Sequence, residues 1–385
     1  MNILEFCLFC CLSILTVPSW SGVPAERIRL TIRNTTLGPE RGTGAFVTAI
    51  GRDGAGRICR LEADGQFQPC TAPNLAKGED GRIQGLPLAG TLSLDLDRRL
   101  RLRGGRIYLS FGAPLQLRLN ADGGLVQPDP ANPADPDAGL IYDWIEFTLD
   151  DTGFHGNPTC VDQFGLPVSL SLVDRRNPNR PLGPVGITQS RSALLQAWQD
   201  TVPEPFRGLA DPAGRRILAP SHSPLFSTGA GRDCFGPWVQ ELWRRYRTEP
   251  LVLTPDQGRC SGRVAEDGRM LFVRDGDPAS YALAGPPTTA EVLGCRGVLA
   301  QGNDLEKVLG AQLAAQLNRH VQDPLRWRDP AQYYLESPCN EYARFWHRHS
   351  VDGRVYGFPY DDVNDQAAFL ECRDPQEIII AIRLD

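Results

Sequence analysis

Residues 141–172 read IYDWIEFTLDDTGFHGNPTCVDQFGLPVSLSL, two strand-like runs joined through a link that contains Gly153 and Gly156. In the first run Ile145, Phe147 and Leu149 alternate as one apolar strand face, which places Tyr142, Trp144, Glu146, Thr148 and Asp150 on the other face. The second run, VSLSLV, is a strand of the same period, and Asp162 stands near its start, 16 residues after Glu146. Paired as neighbours, the two strands would bring both carboxylates to the edges of one groove.

Similar short alternating runs fill the chain on the N-terminal side. IRLTIRN, GAFVTAI, TLSLDLD, RIYLSFG and LQLRLN precede DWIEFTL and VSLSLV, each bounded by Gly, Pro, Asn or Asp, and together they predict an antiparallel β-sandwich or barrel. Helical periodicity begins only after Pro184. Ser190–Val202 aligns Leu194, Leu195, Trp198 and Val202; Pro237–Arg247 aligns Val239, Leu242, Trp243 and Tyr246. Asn303–Val321 and Cys339–His349 repeat the pattern, and strand-like LVLT and RMLFV lie between the helices. The chain ends in EIIIAIRL, an apolar strand that would aggregate as a bare edge and is expected to return to an existing sheet. The fold predicted is β-rich α+β: a β-sandwich or barrel domain over 22–182 completed by 354–385, with a mixed α/β domain over 183–353 inserted before the last strand and a cleft between them. NPNRPLGP, residues 177–184, marks the crossing, and the proline-rich segment 127–139 is a long loop within the first domain.

Composition narrows the function. Forty basic residues are scattered among 46 acidic ones for a net charge of −6, which excludes the basic footprint of a nucleic-acid-binding protein and suits a neutral ligand. Lysine occurs only at Lys77 and Lys307. The first 21 residues carry an apolar run from Cys7 to Val17 followed by small Ser19 and Ser21, the pattern of a signal peptide, although Glu5 stands where a basic residue is usual. No apolar run reaches the length needed to span a bilayer, so a secreted protein without membrane association is expected. Eight cysteines, Cys59, Cys70, Cys160, Cys234, Cys260, Cys295, Cys339 and Cys372, remain after the leader, an even number without CxxC spacing. They predict four disulfides, with Cys59 to Cys70 the one pairing legible from RICRLEADGQFQPC. Asn34, in Asn-Thr-Thr, is a glycosylation acceptor in a eukaryotic host.

The Tyr142–Asp150 face presents an aromatic, a carboxylate and a hydroxyl in a row, a set that suits a sugar: pyranose faces stack on rings and their hydroxyls need donors and acceptors. Glycosidic hydrolysis asks for a protonated acid and an ionised carboxylate, and Glu146 with Asp162 supplies two acids. A saccharide-binding strand without chemistry would carry the same pattern, so the residues alone leave both readings open.

DWIEFTLDDTG followed by NPTCVDQFGLP resembles the paired signature of glycoside hydrolase family 64, and further matches run in order through GRIYLSFG at Gly105, VQPDPANPADPD at Val126, LGCRGVLAQG at Leu293, LNRHV at Leu317 and the segment from Glu341 to Gln366. The resemblance implies an inverting β-1,3-glucanase that releases oligosaccharides, with a thaumatin-like β-domain and an α/β domain flanking a wide groove. It implies Glu146 as general acid and Asp162 as general base, with Thr148 and Thr159, and beyond them Asp150 and Asn157, at sugar subsites. His155 stands where relatives carry other bulky residues. Inversion calls for about 6.5–9.5 Å between the carboxyl groups, wider than directly opposed strand residues allow, so an offset is expected between Glu146 and Asp162. A monomer acting on β-1,3-glucan, with no cofactor and no metal, follows.

Other constellations are weaker. His347, His349, Asp361 and Asp362 have ligand-like spacing, but the histidines close a helix, where they favour the negative end of its dipole. Asp361 and Asp362 either order their loop or, with Tyr356 and Tyr360, line a groove wall. His222, between Ser221 and Ser223, has no G-x-S-x-G turn near it, which speaks against a serine hydrolase. The alternative to an enzyme is a non-catalytic thaumatin-like glucan-binding or defence module.

Overall fold

The computed structural model describes residues 27–37, 44–71 and 82–385; the proposed leader lies outside them. Two sheets face each other. The first is five-stranded, in the order Leu182–Gly186, Val168–Asp174, Pro375–Ile382, Arg27–Asn34, Thr91–Asp97. The second runs Leu370–Cys372, Gly153–Pro158, Ile141–Asp150, Leu102–Phe111, Ala45–Arg52, Ile58–Leu61, Phe67–Pro69, with Leu86–Pro87 added beside Ala45–Arg52. Alternate residues of each meet in one core, where Leu30, Ile32, Leu170, Ile378 and Ile380 of the first sheet join Val47, Ile107, Leu109, Ile145 and Leu149 of the second. Each such side chain removed from water stabilises the sandwich by roughly 1.5–3 kcal/mol.

The final strand does return to a sheet, and to its middle. Pro375–Ile382 lies antiparallel to Val168–Asp174 on one side and parallel to Arg27–Asn34 on the other. The sandwich is therefore not wholly antiparallel, because first and last strands become neighbours with the rest of the chain as their crossover. Six of the seven alternating runs become sandwich strands. The exception is LQLRLN, which gives only Arg118–Leu119, paired to Leu125–Val126. Its Leu115 and Leu117 are buried instead in a small separate cluster with Tyr108, Tyr142 and Trp144 on the outer side of the second sheet.

Residues 141–172 fold differently from the expectation in one respect that matters for the site. Gly153–Pro158 is not a link but a strand, hairpinned directly against Ile141–Asp150, while Val168–Asp174 crosses to the other sheet. Gly153 (φ 120°) permits the tight return, since a Cβ there would run into the Cys372 carbonyl. Asp162 thus lies on the segment that crosses between sheets, not on a strand paired with that of Glu146.

A second core gathers residues from Cys160 to Phe358. Four of its helices are those expected, α1 (Arg191–Thr201), α2 (Gly236–Arg245), α4 (Asp304–Arg319) and α5 (Glu341–His349), and a short α3 (Thr289–Gly294) was not legible from periodicity. Ser190 caps α1 through the Ala193 N–H, and Asn303 forms a capping box with Glu306 at the start of α4. Beside them Leu251–Leu253, Cys260–Val264, Met270–Arg274 and Ser280–Leu283 form an antiparallel meander. No helix among the described residues is long and apolar enough to cross a membrane.

One side-chain expectation is corrected here and one alternative is decided. No disulfide joins any of the eight cysteines. For Cys59 and Cys70 the reason is register: Cys59 faces Pro69 across the ladder, so Cys70, one residue on, points to the opposite face. Cys59 is buried in the sandwich core and Cys70 packs against the outer cluster, where burial pushes its thiol up to about 11. His347 and Asp361, weighed as ligands, are instead joined in a buried network: Arg319 Nη2 donates to Asp361 Oδ1 at 2.9 Å, and His347 Nε2 and the Gly357 N–H meet Oδ2 at 2.9 and 3.0 Å. Arg319 and Asp361 are fully buried. Asp361→Asn is expected to destabilise the protein by roughly 3–5 kcal/mol, because it strands a buried guanidinium; an unchanged urea midpoint would contradict this role.

Candidate active site

The outer face of the second sheet carries the site. The strand Ile141–Asp150 presents its even residues there, and antiparallel pairing sets their neighbours: Glu146 stands between Asn157 and Arg106, Thr148 beside His155, and Trp144 beside Tyr108. The ladder with Leu102–Phe111 shifts register between Phe147 and Leu149. Arg106 Nη2 donates to Glu146 Oε1 at 2.8 Å, while Nη1 reaches Gln127 Oε1 at 3.2 Å and the Tyr108 hydroxyl at 3.3 Å. Tyr108 donates in turn to Gln127 at 2.6 Å, and the guanidinium lies 5.2 Å above the Trp144 ring. Burial works against the Arg106 charge, but Tyr108, Glu146 and Asp162 more than offset it, and its pKa is raised. Arg106 is a fixed cation between the fields of both carboxylates.

Asp162 is positioned by contacts from both cores. Its Oδ1 lies 2.7 Å from His222 Nε2, and its backbone carbonyl accepts the Ala219 N–H at 2.9 Å. The adjoining Gln163–Phe164 pairs with Ile217–Leu218. Three further bonds lace this segment to the Glu146 strand: Gln163 Nε2 donates to the Tyr142 carbonyl at 2.7 Å, and Asp143 Oδ2 accepts the Gly165 and Leu166 N–H groups at 2.8 and 3.2 Å. Gly165 makes the approach possible, since a Cβ would collide with the Tyr142 carbonyl. Burial pushes Asp143 up to about 7 despite these bonds. For Asp162, burial alone would raise the pKa, yet the His222 hydrogen bond and charge and the Arg106 charge hold it below the ordinary carboxylate value.

Each carboxylate therefore has one oxygen held by a basic side chain. Among the described residues the other, Oε2 of Glu146 and Oδ2 of Asp162, takes no hydrogen bond. Both side chains keep partial access to solvent, Glu146 at 32% and Asp162 at 26%.

Glu146 and Thr148 share one face, as expected, and the hairpin adds Asn157 and His155 to it. Asp150 ends it, accepting the Thr152 N–H and hydroxyl at 2.8 and 2.5 Å, and the Thr152 hydroxyl meets His155 Nε2 at 2.7 Å. Trp144 differs: it is 3% exposed, covered by the segment that buries Leu115 and Leu117, and it supports Arg106 and Tyr108 from beneath instead of offering a face to a ligand. Thr159 is also turned inward, 5% exposed, its hydroxyl accepting the Val161 N–H at 3.3 Å beside Asp143 and Cys160. Tyr360 belongs to a separate loop, half-buried against the second core with φ 68°.

Five contributors were not assigned to the site from sequence. Arg106 and Tyr108 share the parity of GRIYLSFG that faces outward, a signal the alternation contained. Gln127 comes from the long loop, and His222 from the opposite core, with nothing local to mark either. Phe369, 47% exposed, stacks on His155 with ring centroids 6.3 Å apart and planes at 25°, extending the face beyond the hairpin.

A carboxylate on a polar sheet face and a second on the crossing segment, each with one oxygen anchored and one unengaged, form the kind of site that acid–base hydrolysis of a glycosidic bond requires. The chain belongs to glycoside hydrolase family 64: the family model described as β-1,3-glucanase matches residues 26–382. It is 29% identical over 300 residues to a glucan endo-1,3-β-glucosidase of Cellulosimicrobium cellulans, matching 74% of this chain and 53% of that protein. The chain thus spans about half the length of the curated relatives it matches. Among solved structures, a β-1,3-glucanase domain from Clostridium beijerinckii superposes with TM-score 0.80 at 29% identity, covering 94% of this chain and 100% of that one. The laminaripentaose-producing β-1,3-glucanase of Paenibacillus barengoltzii, complexed with laminarihexaose, gives TM-score 0.71 at 28% identity over 94% of this chain and 76% of that one.

Proposed function

We propose that this protein hydrolyses internal linkages of β-1,3-glucan with inversion, Glu146 acting as general acid and Asp162 as general base. The observation that carries the reading is Asp162, held below the ordinary carboxylate value by His222 and Arg106, beside a second carboxylate on Arg106, each with one oxygen left unengaged. Asp162, kept ionised by its cationic neighbours, is suited to take a proton through Oδ2 from a water that attacks the anomeric carbon. Glu146, through Oε2, is suited to protonate the departing glycosidic oxygen on the other side of the ring. The two stand on different segments, not opposed across one ladder, which leaves room for the about 6.5–9.5 Å that a single displacement by water demands. Arg106 sits where it can balance negative charge as the acid gives up its proton.

The substrate reading follows the family and the sugar-like face of Thr148, His155 and Asn157. In the same proposal the sandwich is a thaumatin-like domain, which its strand Leu182–Gly186 carries past the boundary expected at residue 182, with the mixed α/β region inserted before the last strand and a wide groove between them; the protein is secreted and monomeric. The test is release of reducing sugar from insoluble linear β-1,3-glucan by purified protein. Binding without release would favour the non-catalytic module instead.

Phe369 and His155 are assigned to a sugar ring at the end of this face. Phe369→Ala is expected to raise KM for long linear β-1,3-gluco-oligosaccharides about fivefold, the equivalent of roughly 1 kcal/mol of ring stacking, with kcat unchanged. Equal KM values for variant and parent across chain lengths would remove Phe369 from the binding surface.

A further inference from the structure

We infer that His222 is a positioning residue for Asp162: it fixes the carboxylate through Oδ1 and so reserves Oδ2 for the attacking water. The inference rests on the reading of Asp162 as general base. Its geometric basis is a two-point connection between the cores. His222 ends the 3-10 turn Pro220–His222, and the residue before that turn, Ala219, donates its N–H to the Asp162 carbonyl at 2.9 Å. Imidazole and carboxylate are thus placed by backbone bonds as well as by their own contact at 2.7 Å, and the neighbouring ladder between Gln163–Phe164 and Ile217–Leu218 fixes the spacing. A carboxylate on an irregular crossing segment would otherwise rotate about χ1 and χ2, and each rotamer would move Oδ2 by ångströms, a displacement that matters when a water must be aligned with an anomeric carbon.

The serines on either side do not compete for the imidazole. Ser223 Oγ accepts the Leu225 N–H at 3.3 Å and caps the next turn. His222 Nδ1 takes no hydrogen bond among the described residues, so Asp162 is the side chain that engages the ring. The charged groups acting on the pair are Asp129 from the long loop, Arg296 beyond α3 and Arg106 across the site. Glu291, the titratable residue of α3, is occupied by its own helix cap and the Val298 N–H. Against burial, which lowers it, Asp162 and Asp129 raise the His222 pKa, so the ring is a cation over more of the acidic range than an isolated imidazole.

A general base fails as pH falls through its pKa. His222 contributes to the depression of that pKa, so removing the imidazole raises it, and activity is lost at higher pH than in the parent.

The experiment is the pH profile of kcat/KM on a soluble linear β-1,3-gluco-oligosaccharide for the full chain and for His222→Ala and His222→Gln, with thermal melts to verify folding. The Ala variant is expected to lose roughly tenfold or more in kcat at little change in KM, with its acid limb moved up by about one pH unit. The Gln variant keeps an N–H donor without the charge, and is expected to recover most of the kcat while retaining the shifted limb. Parent-like kcat and limb in the Ala variant, or an equal loss in both variants without a shift, overturns the inference while hydrolysis by the parent preserves the reading of the site. A parent that releases no sugar overturns both.

Discussion

Glu146→Gln is expected to lower sugar release from β-1,3-glucan by about 10²–10⁴-fold while leaving fold and glucan binding intact. The amide is isosteric with the carboxyl group, and its carbonyl oxygen can still accept the Arg106 hydrogen bond that Oε1 takes at 2.8 Å. What it cannot do is deliver a proton to the leaving oxygen. The loss should therefore depend on the leaving group. On an aryl glycoside of a β-1,3-linked disaccharide, whose phenolate departs without protonation, the same substitution should cause a much smaller decrease. A uniform loss on both substrates would show that Glu146 acts in some other way.

Asp162→Asn is expected to cause a loss of similar size, about 10²–10⁴-fold, but with the opposite dependence. The deficit lies in activating water, so a better leaving group should not relieve it. Azide, a nucleophile that needs no deprotonation, should restore part of the activity and yield an α-glycosyl azide from a β-linked substrate. Formation of a β-azide would mean a retaining mechanism, and rescue by azide in Glu146→Gln but not in Asp162→Asn would exchange the roles of the two residues.

The fold was legible wherever side-chain period alone determines structure. Alternation in IRLTIRN, TLSLDLD and VSLSLV identified the core faces because a strand half buried in a sandwich has no other way to arrange its apolar residues. EIIIAIRL was legible for the same reason, but its parallel neighbour was not, since pairing partners are chosen by topology. Gly153–Pro158 escaped notice because its two glycines and proline read as a link; the ladder to Ile141–Asp150 and Leu370–Cys372 makes it a strand despite that composition.

In the site, residue parity found Glu146 and Thr148 on one face, and the family resemblance named Asp162. The environment of each was hidden. His222 is 60 residues from Asp162 in sequence and Arg106 is 40 from Glu146, so the basic side chains that hold the two acids come from elements that no local pattern connects. Trp144 was misjudged for a related reason: its outward parity was read correctly, but a covering segment that buries Leu115 and Leu117 closes over it. The even count of cysteines misled because parity of number says nothing of facing, and Cys59 and Cys70 lie on opposite sides of their hairpin.

The central claim, inverting hydrolysis by Glu146 and Asp162, is tested most directly by following the anomeric proton of the first product by NMR as the protein acts on a linear β-1,3-glucan. Initial appearance of the α-anomer, followed by slow mutarotation, is the expected result. Initial release of the β-anomer would mean a retaining mechanism and contradict the roles given to both carboxylates.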